Sequence, residues 1–268
     1  MKHVLTIAGS DSSGGAGIQA DIKTFAAHGV YGMSVITAVT AQNTLGITCV
    51  ENISPETISR QMEAIFTDIT VHAVKIGMVS NDLSIRAVAA QLKRFHPKHI
   101  ILDTVMVSKS GYPLLRQNSV GLLIRELFPL ATLVTPNIPE AELITGIPIH
   151  SMADMEKAAA MMYEKGPANV LLKGGHALFD PTDVLFDGTH YHHFTGNRVQ
   201  TKNTHGTGCT LSAAIAANLA NNHTLQAAVA KAKIYITACI EHALTIGRGV
   251  GPLNHFWSLF PNPAKPDA

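Results

Sequence analysis

The alternation of short apolar segments with amphipathic segments constrains the fold of this chain more than any other feature. Apolar runs suited to buried strands lie at 3–9, 31–42, 73–78, 99–103, 132–137 and 169–175. Helical spacing of apolar residues occupies 16–29, 54–69, 81–95, 119–127, 139–145, 151–165, 209–220 and 224–246. Strands that alternate with helices favour a mostly parallel central sheet with helices on both faces. We therefore predict an α/β fold.

The segment 183–194, DVLFDGTHYHHF, breaks this alternation. Its Asp187–Gly188 pair is typical of a tight turn between antiparallel strands, so we predict a small β-hairpin. No repeat, low-complexity linker or shift in composition divides the chain. We predict one domain over residues 1–268, with a flexible tail at 260–268.

Composition argues against several classes of function. Of 268 residues 46% are hydrophobic, and a formal net charge of +1 without a basic block disfavours a nucleic-acid surface. The most apolar helical segment, 224–246, contains Lys231, Lys233 and Glu241 and is a poor candidate for a membrane span. The first apolar run begins so early that no room for a signal peptide is expected, which favours a cytoplasmic location.

Cysteine and histidine positions disfavour metal and disulfide frameworks. The three cysteines are odd in number and widely spaced, and they form no CxxC pair, which fits a reducing compartment. They are Cys49, Cys209 and Cys239. The tightest histidine cluster, His190, His192 and His193, lies in the predicted hairpin, where alternating exposed side chains are a more ordinary interpretation than metal ligands.

Ligands of open α/β sheets bind beyond the carboxyl ends of the strands. The first segment predicted there, GSDSSGGAGIQAD at 9–21, is not a P-loop, because Gly15 stands where the lysine would be. GAGIQA matches the dinucleotide pattern, but the acid expected roughly 20 residues later is absent. The loop is therefore either a tight turn or a place where a small flat ligand approaches the backbone.

Polar side chains end several other predicted strands. Gln42 can donate and accept side by side, as the edge of an aminopyrimidine requires, although a lone glutamine here could be structural. Asp103 and Glu140 suit Mg²⁺, while Glu140 could instead stabilise the first turn of a helix. Lys173 suits a phosphate, or it is an ordinary surface lysine.

A second glycine loop, NTHGTGCT at 203–210, precedes a helix. Its backbone N–H groups and the positive end of the helix can stabilise a transferring phosphoryl group. The same field is expected to lower the pKa of the Cys209 thiol from about 8.5, which would suit a proton acceptor. The alternative is a small residue that packs on the core.

Seven segments together resemble a known family. They are GSDSSGGAGIQADIKTF, TAVTAQNT, KIGM, MVSKSG, TPNIPEAE, LLKGGH and NTHGTGCT. In this order, and over nearly the whole chain, they resemble the bacterial hydroxymethylpyrimidine/phosphomethylpyrimidine kinases of thiamine biosynthesis, within the ribokinase-like superfamily. That family is usually a homodimer, lacks the large β-sheet lid of the sugar kinases, and usually has proline where Thr104 stands.

The resemblance implies two successive phosphoryl transfers from ATP with Mg²⁺. They convert 4-amino-5-hydroxymethyl-2-methylpyrimidine to its monophosphate and then to its diphosphate. The implied catalytic residues are Gly206, Thr207, Gly208 and Cys209, with Cys209 as the base. The implied substrate contacts are Gln42, Asp21, Gly9, Ala16, Met78 and Val107. The implied nucleotide contacts are Lys173, Asn137 and Thr204, and the implied Mg²⁺ ligands are Asp103 and Glu140.

Three alternatives stay open. Pyridoxal or pyridoxine kinases form a branch of the same subfamily. A pyrimidine- or nucleotide-binding protein without catalysis is disfavoured, because the anion loop, the base and the acids are all present. A covalent role for Cys209 would need a histidine that orients the thiol, for which His205 is a candidate, but it leaves Asp103 and Lys173 unexplained.

Overall fold

The computed structural model describes residues 1–107, 111–175 and 181–260. Nine strands in this part of the chain join one sheet in the order β3-β2-β1-β4-β5-β6-β7-β8-β9. They are β1 (His3–Asp11), β2 (Tyr31–Asn43), β3 (Gly46–Asn52), β4 (Ala73–Ile76), β5 (Ile100–Leu102), β6 (Leu133–Val134), β7 (Val170–Leu172), β8 (Asp183–Phe186) and β9 (Tyr191–Phe194). The predicted tail lies outside the described residues, except for Phe260.

Eight helices of the described part surround the sheet. They are α1 (Gly17–Ala27), α2 (Pro55–Phe66), α3 (Asp82–Phe95), α4 (Val120–Leu127), α5 (Ile138–Thr145), α6 (Met152–Tyr163), α7 (Thr207–Ala220) and α8 (Leu225–Glu241), with 3-10 turns at Gln117–Ser119 and Phe128–Leu130. Ser54 caps α2 by accepting from the Thr57 N–H, with Pro55 at the first helical position, as its sequence predicts.

The sheet is parallel from β2 through β1, β4, β5 and β6 to β7, which confirms the predicted architecture. Alternate strand residues face opposite layers: Ile100 and Leu102 pack with α2–α6, whereas Ile101 packs with α1, α7 and α8. Because parallel strands align, their carboxyl ends open along a single edge of the sheet.

Antiparallel strands complete both edges. β8 and β9 form the predicted hairpin, in which His192 bonds Asp187 at 2.8 Å and His193 bonds Glu156 at 2.9 Å. At the other edge, β3 pairs antiparallel with β2 and was not predicted from the sequence. No helix in the described ranges is long and apolar enough to cross a membrane.

Candidate active site

A cavity of about 1020 Å³ lies at the carboxyl ends of the parallel strands. Fourteen of the fifteen candidate site residues line it: Gly9, Ala16, Gln42, Met78, Asp103, Val107, Asn137, Glu140, Lys173, Thr204, Gly206, Thr207, Gly208 and Cys209. The structure thus brings together residues that are spread over most of the chain, although the role of each stays a prediction.

Asp21 is the one candidate that does not line this cavity. It lies on α1, fully buried, and accepts from Thr6 Oγ1 at 2.6 Å and from Lys75 Nζ at 2.9 Å. Burial disfavours the Lys75 ammonium, but the charge and hydrogen bond of Asp21, together with the nearby Cys209 and Asp103, outweigh burial and hold the pKa of Lys75 above its ordinary value. The Asp21 carboxylate is therefore engaged within the protein, and its predicted contact with substrate stays untested.

Asp11 holds the first glycine loop. Its Oδ1 accepts from the backbone and hydroxyl of Ser13, both at 2.8 Å, and its Oδ2 accepts from Ala16 N at 2.8 Å and Gly15 N at 3.2 Å. His205 Nε2 lies 2.8 Å from the same Oδ2. The N–H groups of this loop thus bind an aspartate of the chain itself, which leaves the second loop as the candidate site for a phosphoryl group.

The two glycine loops touch. Gly206 has φ of 87°, and a Cβ there would lie 1.9 Å from the carbonyl oxygen of Gly15. α7 begins at the next residue; Thr207 N donates to the carbonyl of Thr204 at 3.4 Å, and the N–H groups that follow in its first turn have no partner within the helix and belong to residues that line the cavity. A Cβ on Gly208 would lie 3.5 Å from both Lys173 Nζ and Asp103 Oδ2, which places these charges beside the helix start.

The thiol of Cys209 differs from the sequence-based expectation. Burial, with smaller contributions from the charges of Asp21 and Asp103 and against the opposing effect of Lys75, raises the pKa of Cys209 to about 11. The expected lowering was wrong mainly because the sequence does not show how deeply the thiol is buried. His205 bonds Asp11, so its Nε2 is engaged away from the covalent role that the alternative interpretation required.

Asp103 and Lys173 form a buried ion pair at the cavity. Lys173 Nζ lies 3.0 Å from Asp103 Oδ1, which also accepts from Thr135 Oγ1 at 3.1 Å. Burial would raise the pKa of Asp103, but the charges of Lys173 and Lys75 hold it below its ordinary value. The carboxylate is thus ionised and available to a cation, while Lys173 is oriented by it.

Asn137 and Glu140 form a capping box at the start of α5. Asn137 Oδ1 accepts from Glu140 N, and Glu140 Oε2 accepts from Asn137 N, each at 2.9 Å. Thr104 Oγ1 also donates to Glu140 Oε2 at 2.9 Å, and burial raises the pKa of Glu140. Glu140 therefore does stabilise the first turn of a helix, as one interpretation of the sequence predicted. This contact does not exclude that it also binds Mg²⁺.

Several cavity residues were not identified from the sequence. Asp11 lines the cavity and follows a glycine by two positions without any distinguishing pattern; Lys75, which is buried outside the cavity wall, interrupts an apolar strand, and this was the available signal. Another part of the wall gave no signal at all: it comprises Gly196–Thr201, Lys233, Ile236, Thr237 and Ile240.

The family model for phosphomethylpyrimidine kinase matches residues 11–254. The chain belongs to this family. Kinase activity is thus confirmed at the level of the family, and so is the resemblance stated above. The chain is 54% identical over 256 residues to the hydroxymethylpyrimidine/phosphomethylpyrimidine kinase of Rhizobium meliloti (strain 1021), covering 94% of this chain and 96% of that protein.

A second relative of the phosphomethylpyrimidine kinase family is longer. The chain is 51% identical over 253 residues to the thiamine biosynthesis bifunctional protein ThiED of Geobacter sulfurreducens. The match covers 94% of this chain and 52% of that protein, so the chain spans about half the length of this relative.

Solved structures confirm the ribokinase-like α/β architecture of the phosphomethylpyrimidine kinase family in this chain. The phosphomethylpyrimidine kinase of Clostridium difficile 630 matches with a TM-score of 0.80 and 49% identity, over 88% of this chain and 98% of that one. An ADP complex of Bacillus subtilis pyridoxal kinase matches with a TM-score of 0.89 and 37% identity, over 96% and 98%. The higher TM-score accompanies the larger share of this chain that is aligned, so the backbone alone does not separate the two kinases, whereas sequence identity is higher to the phosphomethylpyrimidine kinase.

Proposed function

We propose that this protein transfers a phosphoryl group from ATP to 4-amino-5-hydroxymethyl-2-methylpyrimidine, and a second one to the resulting monophosphate. The observation that supports this most is the placement of Gln42. Its carboxamide lies in the wall of the cavity that also contains the second glycine loop, 3.3 Å from His205 of that loop. A side chain that can hydrogen-bond the donor–acceptor edge of a ring thus lies close enough to the candidate anion site for one small ligand to contact both.

The nucleotide would occupy the opposite part of the cavity. Ile236 and Ile240 of α8 line the cavity and offer apolar surface to a flat base, and Lys173 lies beside the start of α7. The volume exceeds that of a typical small-ligand pocket, as two ligands require. Asn137 and Thr204 line the same wall and stay predicted nucleotide contacts.

Transfer would be favoured by position and charge. The first-turn N–H groups of α7 point at the place of the transferring group, and Lys173 adds a positive charge that Asp103 orients. Cys209, at the third helical position, can meet the hydroxyl proton of the acceptor. We infer that it accepts this proton as the minority thiolate, because its pKa near 11 keeps most of the thiol protonated at neutral pH.

Mg²⁺ fits this site as a phosphate-bound ion. Among the residues that the structure describes, no group of three or more His, Cys, Asp or Glu side chains converges on one point. Mg²⁺ typically uses one or two carboxylates together with water and phosphate oxygens. Asp103, and Glu140 from its capping position, would supply those carboxylates, and the bound ion would neutralise phosphate charge.

The second transfer differs chemically from the first. Its acceptor is a phosphate whose second pKa is about 6, so it is already ionised at neutral pH and needs no proton acceptor. We therefore infer that Cys209 matters for the first transfer more than for the second.

Location and assembly remain inferences. We infer a cytoplasmic enzyme, which the three free cysteines support. A homodimer is inferred from the family resemblance. A single kinase domain is supported by the one sheet that all described strands join.

Competition between two ring alcohols tests the proposed substrate. With ATP and Mg²⁺, kcat/KM for the aminopyrimidine alcohol should exceed that for pyridoxal. Gln42→Leu should lower kcat/KM for the aminopyrimidine alcohol by raising KM, because the ring edge loses its hydrogen-bond partner. The expected loss corresponds to about 1–3 kcal/mol. A wild-type preference for pyridoxal would instead support pyridoxal kinase activity, for which the backbone similarity to the Bacillus subtilis enzyme is the favouring observation.

A further inference from the structure

The surroundings of the Gln42 carboxamide determine which way it can point. The amide nitrogen lies 3.3 Å from His205 Nε2, and the amide oxygen lies 3.2 Å from Thr40 Oγ1. An amide nitrogen donates two hydrogens and an amide oxygen accepts through two lone pairs, so each neighbour must have the complementary character.

His205 is a donor at the nitrogen that faces Gln42. Its Nε2 lies 2.8 Å from Asp11 Oδ2, and an ionised carboxylate can only accept. Burial would raise the pKa of Asp11, but hydrogen bonds from His205 and Ser13 hold it below its ordinary value. The proton is therefore on Nε2, and two donors face one another when the Gln42 nitrogen points at His205.

Thr40 shows the opposite mismatch. Its hydroxyl lies 2.9 Å from the carbonyl oxygen of Ser10, closer than the 3.2 Å to Gln42 Oε1. A carbonyl can only accept, so the single hydroxyl hydrogen is directed to Ser10. The side of Thr40 Oγ1 that faces Gln42 is then a lone pair, which requires a donor.

We propose that the Asp11–His205 pair and Thr40 together fix the Gln42 carboxamide with its oxygen toward His205 and its nitrogen toward Thr40, and that this orientation selects the substrate ring. Rotation by a half-turn about the last side-chain bond gives Thr40 a donor and removes the clash of two donors at His205, because the Gln42 oxygen can share the Nε2–H that His205 donates to Asp11. One N–H and one oxygen lone pair then remain for a ligand. Asp11 and His205 are positioning residues in this account, because they act through Gln42.

The fixed orientation also aligns the reacting group. When the Gln42 oxygen lies on the His205 side, the amino group of the ring must lie on the side of the second glycine loop in order to donate to that oxygen. The neighbouring ring nitrogen then lies on the Thr40 side, where it accepts from the Gln42 nitrogen. In the proposed aminopyrimidine substrate, the carbon that bears the hydroxymethyl group is adjacent to the amino-bearing carbon, on the side away from that nitrogen. The hydroxymethyl group is thereby directed toward the loop of Gly206–Cys209. This inference rests on the proposed function and adds the reason for its ring specificity.

A matched pair of substrates tests the orientation. The 4-oxo analogue of the same alcohol carries a carbonyl in place of the amino group and an N–H at the neighbouring ring nitrogen, so its edge is reversed. The ratio of kcat/KM for the amino ring to that for the oxo ring should be at least about tenfold in the wild type, as is usual for a paired polar edge. In His205→Leu and in Thr40→Val the ratio should fall toward one, because the carboxamide can then rotate.

Two further variants separate this role from simple structural support. His205→Gln returns an N–H donor and should restore most of the ratio. His255→Leu removes another buried histidine, which bonds Thr210 Oγ1 at 2.9 Å outside the cavity wall, and should leave the ratio unchanged. If His205→Leu does not fold, Thr40→Val carries the test by itself.

The outcomes distinguish the two proposals. A wild-type enzyme that phosphorylates neither ring overturns both the proposed function and this inference. A wild-type enzyme that prefers the amino ring, with a preference that persists in His205→Leu and Thr40→Val, overturns only the orienting role. Equal loss of activity on both rings in these variants, with an unchanged ratio of the two kcat/KM values, likewise overturns only the orienting role.

Discussion

The ammonium nitrogen of Lys75 lies 2.9 Å from both carboxylate oxygens of Asp21, and neither side chain is exposed to solvent. β4 supplies the lysine and α1 the aspartate, so the pair joins the sheet to the helix that follows the first glycine loop. A buried charge that loses its partner is costly, whereas a matched apolar replacement of both partners can be nearly neutral.

We therefore expect Lys75→Met and Asp21→Leu each to lower the free energy of unfolding by about 3–5 kcal/mol, and the double variant with both changes to cost less than the sum. Urea unfolding measures all three variants. Arg60→Ala is the control, because its pair with Glu56 is 76% and 74% exposed and should change stability by less than about 1 kcal/mol. Additive losses in the double variant would show that the two side chains are not coupled.

Thr104 should stabilise the strand-end region through Glu140. Thr104→Val removes a buried hydrogen bond to a carboxylate, so we expect a loss of about 1.5–3 kcal/mol in urea unfolding. Thr67→Val is a matched control, because that exposed hydroxyl bonds only a carbonyl of its own helix. Equal effects of the two variants would contradict a special role for Thr104.

Asp103 and Glu140 should agree in their effect on Mg²⁺. Glutamine can fill the third position of a capping box, but its amide nitrogen cannot accept from the Met106 N–H as the second carboxylate oxygen does, so Glu140→Gln should lower the unfolding free energy slightly. Both Glu140→Gln and Asp103→Asn should raise the Mg²⁺ concentration that gives half-maximal turnover, since a carboxylate charge is removed beside the phosphates. An unchanged Mg²⁺ requirement in both would return these side chains to purely structural roles.

The raised pKa of Cys209 predicts a pH dependence with a definite sign. A pKa near 11 leaves the thiol protonated at pH 7, and the thiolate fraction grows about tenfold for each pH unit below that pKa. The kcat of the first transfer should therefore rise from pH 7 to pH 9, and the second should not. Cys209→Asp is the control, because a carboxylate is ionised throughout and should give a flat profile at lower rate. A flat wild-type profile would show that the thiol only positions the hydroxyl.

The strand–helix alternation was enough to predict the parallel sheet, because buried strands and amphipathic helices differ in apolar period. β3 escaped prediction, since four of its seven residues are exposed and its pairing with β2 comes from tertiary structure. Residues at strand ends could be identified as site candidates because parallel strands end at one edge. Asp11, Lys75 and the pKa of Cys209 could not, because each depends on burial and on partners that only folding brings together.

The most direct test of the account follows product masses over time with ATP, Mg²⁺ and the aminopyrimidine alcohol, for the wild type and Cys209→Ala. The wild type should form a product with one added phosphoryl group and then one with two. Cys209→Ala should lose roughly 10²–10⁴-fold in the first transfer, as expected for a lost proton acceptor, and much less when supplied with the monophosphate. Intact-protein mass spectrometry during turnover should show no adduct on Cys209. Failure of the wild type to add a phosphoryl group to the aminopyrimidine alcohol, or equal loss of both transfers in Cys209→Ala, would contradict the account.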